Sequence, residues 1–333
     1  MIDFQDLDIL LRKQDNYVLT THVNPDADAI GSVLTLQRIL RIYNKNARII
    51  LCSEMPGYLR FLDTENIIEF YQPDKHNDVI INADTFVCLD FNRVDRMVSM
   101  APLFPKLKGL KICIDHHQYP EEVFDYLFYD TDFCATGHIL YEFIEQTNFA
   151  PMTLSLAEPL YAAIMTDTGS FRFERTTSRV HRIAAELLDA GVIPVKIHGE
   201  IFDQNSSAKM LLLGDALKSI EYFGRNDELG VMTITRENFR IYDSREDETE
   251  QFINLMMSAA KIQMGMNFIE LPRGFKVSLR SKNILPVHHF AARFGGGGHR
   301  NAAGIRISDK SLAEMKDIII SDAIEFLKEQ NNE

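Results

Sequence analysis

Positive charge is scarce in this sequence: 35 Lys and Arg stand against 48 Asp and Glu, a formal net charge of −13. Spread evenly, a charge of that sign repels nucleic acids and anionic membranes, so a polyanionic ligand would call for a metal or a locally basic patch. Cysteine is scarce too. Cys52, Cys88, Cys113 and Cys134 form no C-x-x-C pair, and Cys88 and Cys113 lie in apolar runs. That excludes a disulfide scaffold and reads all four as reduced core residues. No apolar run approaches the ~20 residues of a membrane span, and the opening MIDFQDLDILLRKQD lacks the layout of a secretory signal. The expected location is cytoplasmic, with no membrane partner. There is no tryptophan, so any stacking ring must be sought among 22 Phe and 11 Tyr, and composition singles out none of them. No repeat or low-complexity segment occurs, and 46% hydrophobic against 25% charged residues is the balance of a globular protein.

The length, 333 residues, suits about two domains. Runs at 17–23 (YVLTTHV), 48–53 (RIILCS), 85–90 (TFVCLD) and 111–115 (KICID) read as buried strands. Residues 29–43 read as a helix, with Ile30, Val33, Leu34, Gln37 and Leu40 at helical spacing. This alternation predicts an α/β fold, a mostly parallel sheet with flanking helices, whose functional side chains gather beyond the C-terminal strand ends. Helices are expected at 156–165 and 178–190, the second stopped by Gly191 and Pro194. We place a first domain at 1–190, a helical connector at 191–225, and a smaller mixed α/β domain at 226–333. In the last, 229–235 and 275–281 read as strands and 312–328 as an amphipathic closing helix. The acidic run DSREDETE (243–250) suits a solvated helix start, leading into a helix with Phe252, Leu255, Met256, Ala259 and Ile262 on its apolar face.

Polar residues collect where the strands end. In THVNPDADAIGS (21–32), His22, Asp26 and Asp28 lie between a strand and a helix, where a turn restrained by Pro25 can converge them. An imidazole and two carboxylates suit a divalent metal such as Mn²⁺. Asp28 also reads as a helix N-cap and Asp26 as an ordinary turn residue. Asp90 ends one strand; Asp115, His116 and His117 end another; Asp167 closes an apolar helical run ahead of Gly169. A D-H-H triplet offers a metal ligand, a substrate-facing group and a carboxylate that orients an imidazole. Asp26, Asp28, Asp90 and Asp167 carry four negative charges and His22 and His116 none, so two divalent cations would balance the set. Two such ions can activate a water and stabilise the attacking and leaving oxygens of a phosphoryl ester.

Near the C-terminus, RFGGGGHRNAAGIRI (293–307) puts four glycines before His299 and Arg300. It is neither a Walker A loop nor a G-x-G-x-x-G fingerprint, and taken by itself it reads rather as a flexible turn. Backbone N–H groups of Gly296, Gly297 and Gly298, with His299 and Arg300, could approach a phosphate. From 271 to 307 there are seven positive residues, Arg273, Lys276, Arg280, Lys282, Arg293, Arg300 and Arg306, and no acid.

Together the H-x-N-x-D-x-D block at 22–28, Asp90, the D-H-H at 115–117, Asp167 and GGGH-x-x-AAG at 296–304 resemble the DHH phosphoesterase family, the last motif resembling its DHH-associated domain of the first type. Length and layout are most like the bifunctional oligoribonuclease and pAp-phosphatase (nanoRNase) branch. The resemblance implies a Mn²⁺-dependent enzyme that releases 5′ mononucleotides from very short RNAs. In some members it dephosphorylates 3′-phosphoadenosine 5′-phosphate (pAp) or cleaves linear and cyclic dinucleotides. Carried over, His22 and Asp26 would bind one metal, Asp28, His116 and Asp167 the other, and Asp90 would bridge them. His117 would face the scissile phosphate with Asp115 behind it, while Arg280, Ser281 and His299 would hold a substrate phosphate. The resemblance also allows a homodimer, for which no residue pattern speaks. Polyphosphate or pyrophosphate hydrolysis is an alternative that the GGGH motif disfavours. A RecJ-type processive exonuclease would need more chain, and a non-catalytic nucleotide sensor would predict a degraded metal set. His288 and His289, in NILPVHHF (283–290), have no assigned role.

Overall fold

Four apolar runs of the first half become four adjacent or near-adjacent strands of one parallel sheet. The computed structural model describes residues 2–249 and 251–331, without the side chains of His299 and Asn331. The chain divides into two units, Met1–Gln204 and Asn205–Glu333. In the first, β1 (Asn16–Thr20), β2 (Asn46–Leu51), β3 (Ile68–Phe70), β4 (Thr85–Leu89), β5 (Leu110–Asp115) and β6 (Tyr126–Tyr129) lie in the order β3-β2-β1-β4-β5-β6. Every neighbouring pair is parallel. The chain works outward from β1 in one direction and from β4 in the other, so the switch point lies between those two strands. In open α/β sheets the crevice beyond the carboxyl ends of such a pair is where ligands bind.

The helices of this unit are α1 (Phe4–Lys13), α2 (Ala27–Ile42), α3 (Pro73–Ile81), α4 (Thr136–Thr147), α5 (Leu154–Asp167), α6 (Ser178–Asp189) and α7 (Pro194–Phe202). Alternate strand residues feed opposite layers. Leu19, Val87 and Ile114 pack with α1, α2, α4, α5 and α6, whereas Val18, Phe86 and Cys88 pack with Ile80 and the 3₁₀ segment Val94–Lys106. Helix α2 is buried from Ala27 through Leu40, which explains why its sequence carries little polar stripe. The first strand reading runs long: β1 stops at Thr20, leaving Thr21 and His22 beyond the ladder. β3 and β6 have no counterpart in the apolar runs, being edge strands of three and four residues.

The second unit holds α8 (Ser207–Lys218), β7 (Glu221–Phe223), β8 (Leu229–Ile234), α9 (Arg236–Tyr242), α10 (Phe252–Met256), β9 (Met264–Glu270), β10 (Phe275–Ser281), α11 (Val287–Arg293), β11 (Gly297–His299), β12 (Ala302–Ile307) and α12 (Leu312–Asn331). Its sheet, ordered β11-β12-β10-β9-β8-β7, is mixed, with β8–β9 parallel and the other pairs antiparallel. The stretch 191–225 is shared, since α7 falls in the first unit and α8 and β7 in the second. The helix expected to reach Ile262 ends at Met256, and Leu255 is exposed. The segment Met264–Glu270, absent from the sequence reading, is a strand buried between β8 and β10. Its Gly265 and Asn267 are poor strand formers, and burial on both faces overrides that preference.

Helices α2 and α5 meet at a glycine. A β-carbon at Gly31 would fall 2.4 Å from the Pro159 carbonyl oxygen and 3.2 Å from Ala163 Cβ. Gly31→Ala gains about 1 kcal/mol of helix propensity, yet overpacking against backbone costs typically about 1–3 kcal/mol. We expect a net loss of stability, seen as a lower urea midpoint at unchanged m-value. A midpoint at or above wild type would show that α5 yields instead.

Candidate metal centre

Three imidazoles and five carboxylates come together beyond β1, β4 and β5. His22 follows β1, and its Nδ1–H donates to the Val23 carbonyl at 2.9 Å, which leaves Nε2 facing inward. His116 follows β5, and its Nδ1 is 3.3 Å from the Phe133 carbonyl, so its Nε2 is likewise free. Anchoring one ring nitrogen on a carbonyl fixes the tautomer and presents the other as a ligand. Asp90 follows β4 in the left-handed region (φ 65°), and its N–H still bonds the Ile114 carbonyl at 3.1 Å. That turn aims the carboxylate between the two imidazoles: Oδ2 is 3.4 Å from His22 Nε2 and Oδ1 is 3.5 Å from His116 Nε2.

The two acids of the 21–32 block divide their roles differently from the sequence reading. Asp26, not Asp28, caps α2, its Oδ1 accepting from the Asp28 and Ala29 N–H groups at 3.0 Å each. Its other oxygen lies 4.0 Å from His22 Nε2. Asp28 is fully buried in the first turn of α2, and its carboxylate reaches across to the start of α4. It accepts from the backbone N–H of Thr136 (2.7 Å) and Gly137 (2.8 Å), and from Ser32 Oγ (3.1 Å). Thr136 Oγ1 in turn donates to Asp90 Oδ1 at 3.0 Å. Asp167, the last residue of α5, brings Oδ2 to 3.2 Å from His116 Nε2. A carboxylate at a helix C-terminus faces the wrong end of the dipole and needs a cation nearby.

Two groups able to hold a metal ion result: His22, Asp26 and Asp90, and Asp28, His116 and Asp167, the ligand atoms of each lying within 4.8 Å of one another. Asp90 also groups with His116 and His117, so it is common to both sides. Behind them, buried Asp115 accepts the His117 Nδ1–H at 2.8 Å and leaves Nε2 of that half-exposed ring outward. Donor chemistry fits divalent cations. His116 Nε2 is buried with no hydrogen-bond partner while three carboxylates surround it at 3.2–3.7 Å. Electrostatics carry the same message. Burial alone would lower the His116 imidazole, but Asp167 and Asp90 push it up to about 11. Burial would raise Asp90, but His116 and His22 hold it below the usual carboxylate range. Asp28, buried and beside Asp90 and Asp167, is pushed well above that range. The cluster draws positive charge to itself, as protons or as metal.

His22, Asp26, Asp28, Asp90, Asp115, His116, His117 and Asp167 are therefore one site. Thr136 and Gly137 belong with them and were not read from the sequence; their only signal is a Thr-Gly pair opening a helical pattern. Arg280, Ser281, Gly296, Gly297, Gly298 and Arg300 lie in the second unit, and the side chain of His299 is outside the described residues. Arg280 is partly buried on β10, its guanidinium lowered by burial, with a hydrogen bond to the Leu279 carbonyl and no ion pair among the described residues. Ser281 Oγ donates to the Leu285 carbonyl at 2.6 Å, and Arg300 Nε bonds the Ile284 carbonyl at 3.1 Å.

The glycine run is not a loose cradle. Gly295 and Gly296 spend their N–H groups on the Ala292 and Ala291 carbonyls at the end of α11, and Gly297–His299 pairs with Ala302–Gly304. Nor are all seven basic residues free: Lys276 and Arg306 share Glu246 Oε1 at 2.7 and 2.9 Å, and Arg293 pairs with Asp322 and Glu329. Within the acidic run at 243–250, whose last residue lies outside the described residues, Glu246 is thus counter-charge rather than solvated surface. His288 Nδ1 is buried with no hydrogen-bond partner among the described residues, its ring centroid lying 4.1 Å from that of His289.

Thr136→Val keeps the side-chain shape and removes the bond that orients Asp90. Loss of such a supporting bond typically lowers metal affinity about 10–100-fold. Titration calorimetry with Mn²⁺ on wild type and variant is expected to show a drop of that size. Equal affinities would mean that Asp90 needs no such support.

Comparisons with known proteins show the family. The DHH family N-terminal domain matches residues 16–164 and the DHHA1 domain residues 241–329. The bifunctional oligoribonuclease and PAP phosphatase NrnA of Thermus thermophilus is 30% identical over 294 residues, covering 88% of this chain and 85% of that protein. NrnA of Bacillus subtilis is 25% identical over 309 residues, 91% of this chain and 94% of that one. Among solved structures, an exopolyphosphatase-related protein from Bacteroides fragilis superposes with a TM-score of 0.92 at 27% identity, covering 99% and 97% of the two chains. With both domain matches in order and a relative of that identity spanning most of both chains, this chain belongs to the DHH family and carries a DHHA1 domain in its second unit.

Proposed function

We propose that the chain is a two-metal phosphoesterase that hydrolyses short oligoribonucleotides to 5′ mononucleotides and pAp to AMP. The observation that carries this reading is Asp90, buried with one oxygen toward His22 and the other toward His116, as a ligand shared by two ions requires. His22 and Asp26 would hold one ion, and Asp28, His116 and Asp167 the other. Bound there, two divalent cations, Mn²⁺ by the family resemblance, supply water activation and charge stabilisation at the attacking and leaving oxygens.

Both reactions break the same bond. A water oxygen bonds to phosphorus, the P–O3′ bond breaks, one water proton is lost and the departing 3′ oxygen gains one. His117 is suited to supply that last proton. Burial alone would lower its imidazole, but the bond to Asp115 and the charge of Asp90 raise it above its ordinary value, and with Nδ1 held by Asp115 it is Nε2 that faces outward. Asp115 acts through His117, fixing which nitrogen faces outward. Arg280, which has no ion pair among the described residues, is the cation we assign to a substrate phosphate. The names of the NrnA relatives support this substrate class over inorganic polyphosphate.

Asp90→Ala should lower Mn²⁺-dependent turnover of di- to pentanucleotides and of pAp by more than about 100-fold, beyond the loss typical of a supporting residue. Normal turnover by that variant would sink the two-ion assignment, and wild-type preference for polyphosphate in the same assay would move the substrate class. His117→Ala should cost about 10²–10⁴-fold on a dinucleotide, the usual worth of a positioned acid. On a nucleoside p-nitrophenyl phosphate, whose leaving group needs no proton, the cost should be far smaller. Equal losses on both would remove His117 as the proton donor.

A further inference from the structure

Directly after Asp167 the backbone does something costly. Gly169, Ser170 and Phe171 are consecutively left-handed, at φ 57°, 60° and 63°. L-residues adopt that region as single residues at most, so a run of three persists only where its surroundings impose it. They do. Ser170 N–H bonds the Met165 carbonyl at 2.8 Å, Thr168 Oγ1 accepts the Phe171 N–H at 3.0 Å, and the Thr168 carbonyl accepts from Arg172 and Phe173, each at 3.0 Å. The Phe171 ring turns inward, stacked on His181 with centroids 5.6 Å apart and set against Tyr161. Its neighbour two residues on does the opposite. Phe173 is 53% exposed. The tip of its ring rests on Gly169, where a β-carbon would fall 2.4–2.6 Å from Cζ and both Cε atoms. Arg172 is also exposed, its guanidinium 5.5 Å from the Phe173 centroid. A strained, tightly bonded turn thus holds a half-exposed aromatic ring, with a guanidinium over it, within a few residues of Asp167.

We propose that the exposed ring of Phe173, seated on Gly169 beside Arg172, is the platform on which a nucleobase of the substrate stacks. The inference rests on the nucleotide reading above and deepens it by naming the group that recognises the base. Stacking on a π-face tolerates any base, so the platform contributes affinity for nucleotides without dictating sequence. A side chain at Gly169 would compete for the space that the tip of the ring now occupies, and the backbone there, at φ 57°, favours glycine.

Phe173→Ala is expected to raise KM for a dinucleotide and for pAp about 5- to 150-fold, the range that base–aromatic stacking supplies, with a much smaller change in kcat. That penalty should collapse toward unity when the base is deleted from the substrate to give an abasic dinucleotide. Phe173→Leu, which keeps apolar bulk and guards against misfolding of the alanine variant, should retain most of the KM penalty. Because the chain has no tryptophan, Phe173→Trp creates a single indole reporter. Its fluorescence should be quenched by a non-hydrolysable phosphonate-linked dinucleotide and unaffected by the abasic analogue. Unchanged KM in the alanine variant, an equal penalty with and without the base, or a leucine variant as good as wild type would overturn the platform while leaving the phosphoesterase reading intact. Failure of the wild type to hydrolyse any nucleotide would overturn both.

Discussion

Carboxylates crowded at one point, largely out of water, are the constraint around which the first unit is arranged. Like charges at this separation repel, and burial removes the solvent that would screen them. The fold answers with directed donors. Asp26 sits at the N-terminus of α2, and Asp28 takes the first N–H groups of α4, so two helix dipoles and four backbone donors face the negative charge. Asp167 has the reverse placement at the end of α5 and relies on His116. The close approach of α2, α4 and α5 follows from this need. Gly137 is part of it, since a β-carbon there would lie 2.6 Å from Ala163 Cβ and 3.3 Å from Asp28 Oδ1.

The amino-acid pattern exposes some of this and hides the rest for physical reasons. Strands buried on both faces are written as unbroken apolar runs, so β1, β2, β4 and β5 can be read directly, and with them the polar residues that must fall at their ends. The partnership of Asp28 with Thr136 and Gly137 spans 108 and 109 residues and leaves no local trace. Which of Asp26 and Asp28 caps α2 depends on where the first turn begins, and both spacings are acceptable to a helix. β9 is disguised by methionine and glycine, which suit a helix face and a turn as readily as a central strand. The basic stretch misleads for a similar reason: a count of charges along 271–307 cannot show that Glu246 neutralises two of them from another segment.

The net charge of −13 takes on meaning once it is partitioned. Four of the acids belong to a centre that cations would neutralise, and several more are ion-paired on the second unit. Others are paired in the first unit, Glu65 with Arg41, Glu69 with Arg48 and Glu142 with Arg179, and the unpaired exposed acids give the surface its excess of negative charge.

The groups that converge on Asp90 enter the chain far apart, from His22 beyond the first strand to Asp167 at the end of α5. The early segments carry His22, Asp26 and Asp28, yet the donors that hold Asp28 come only with α4, and the second ligand group stays open until α5 has formed. The centre therefore closes late, when about half the polypeptide already exists. A chain cut short before that helix would carry the family's name-giving D-H-H triplet and still be unable to complete the site, so prematurely ended products of this gene are expected to be inert rather than partly active nucleases.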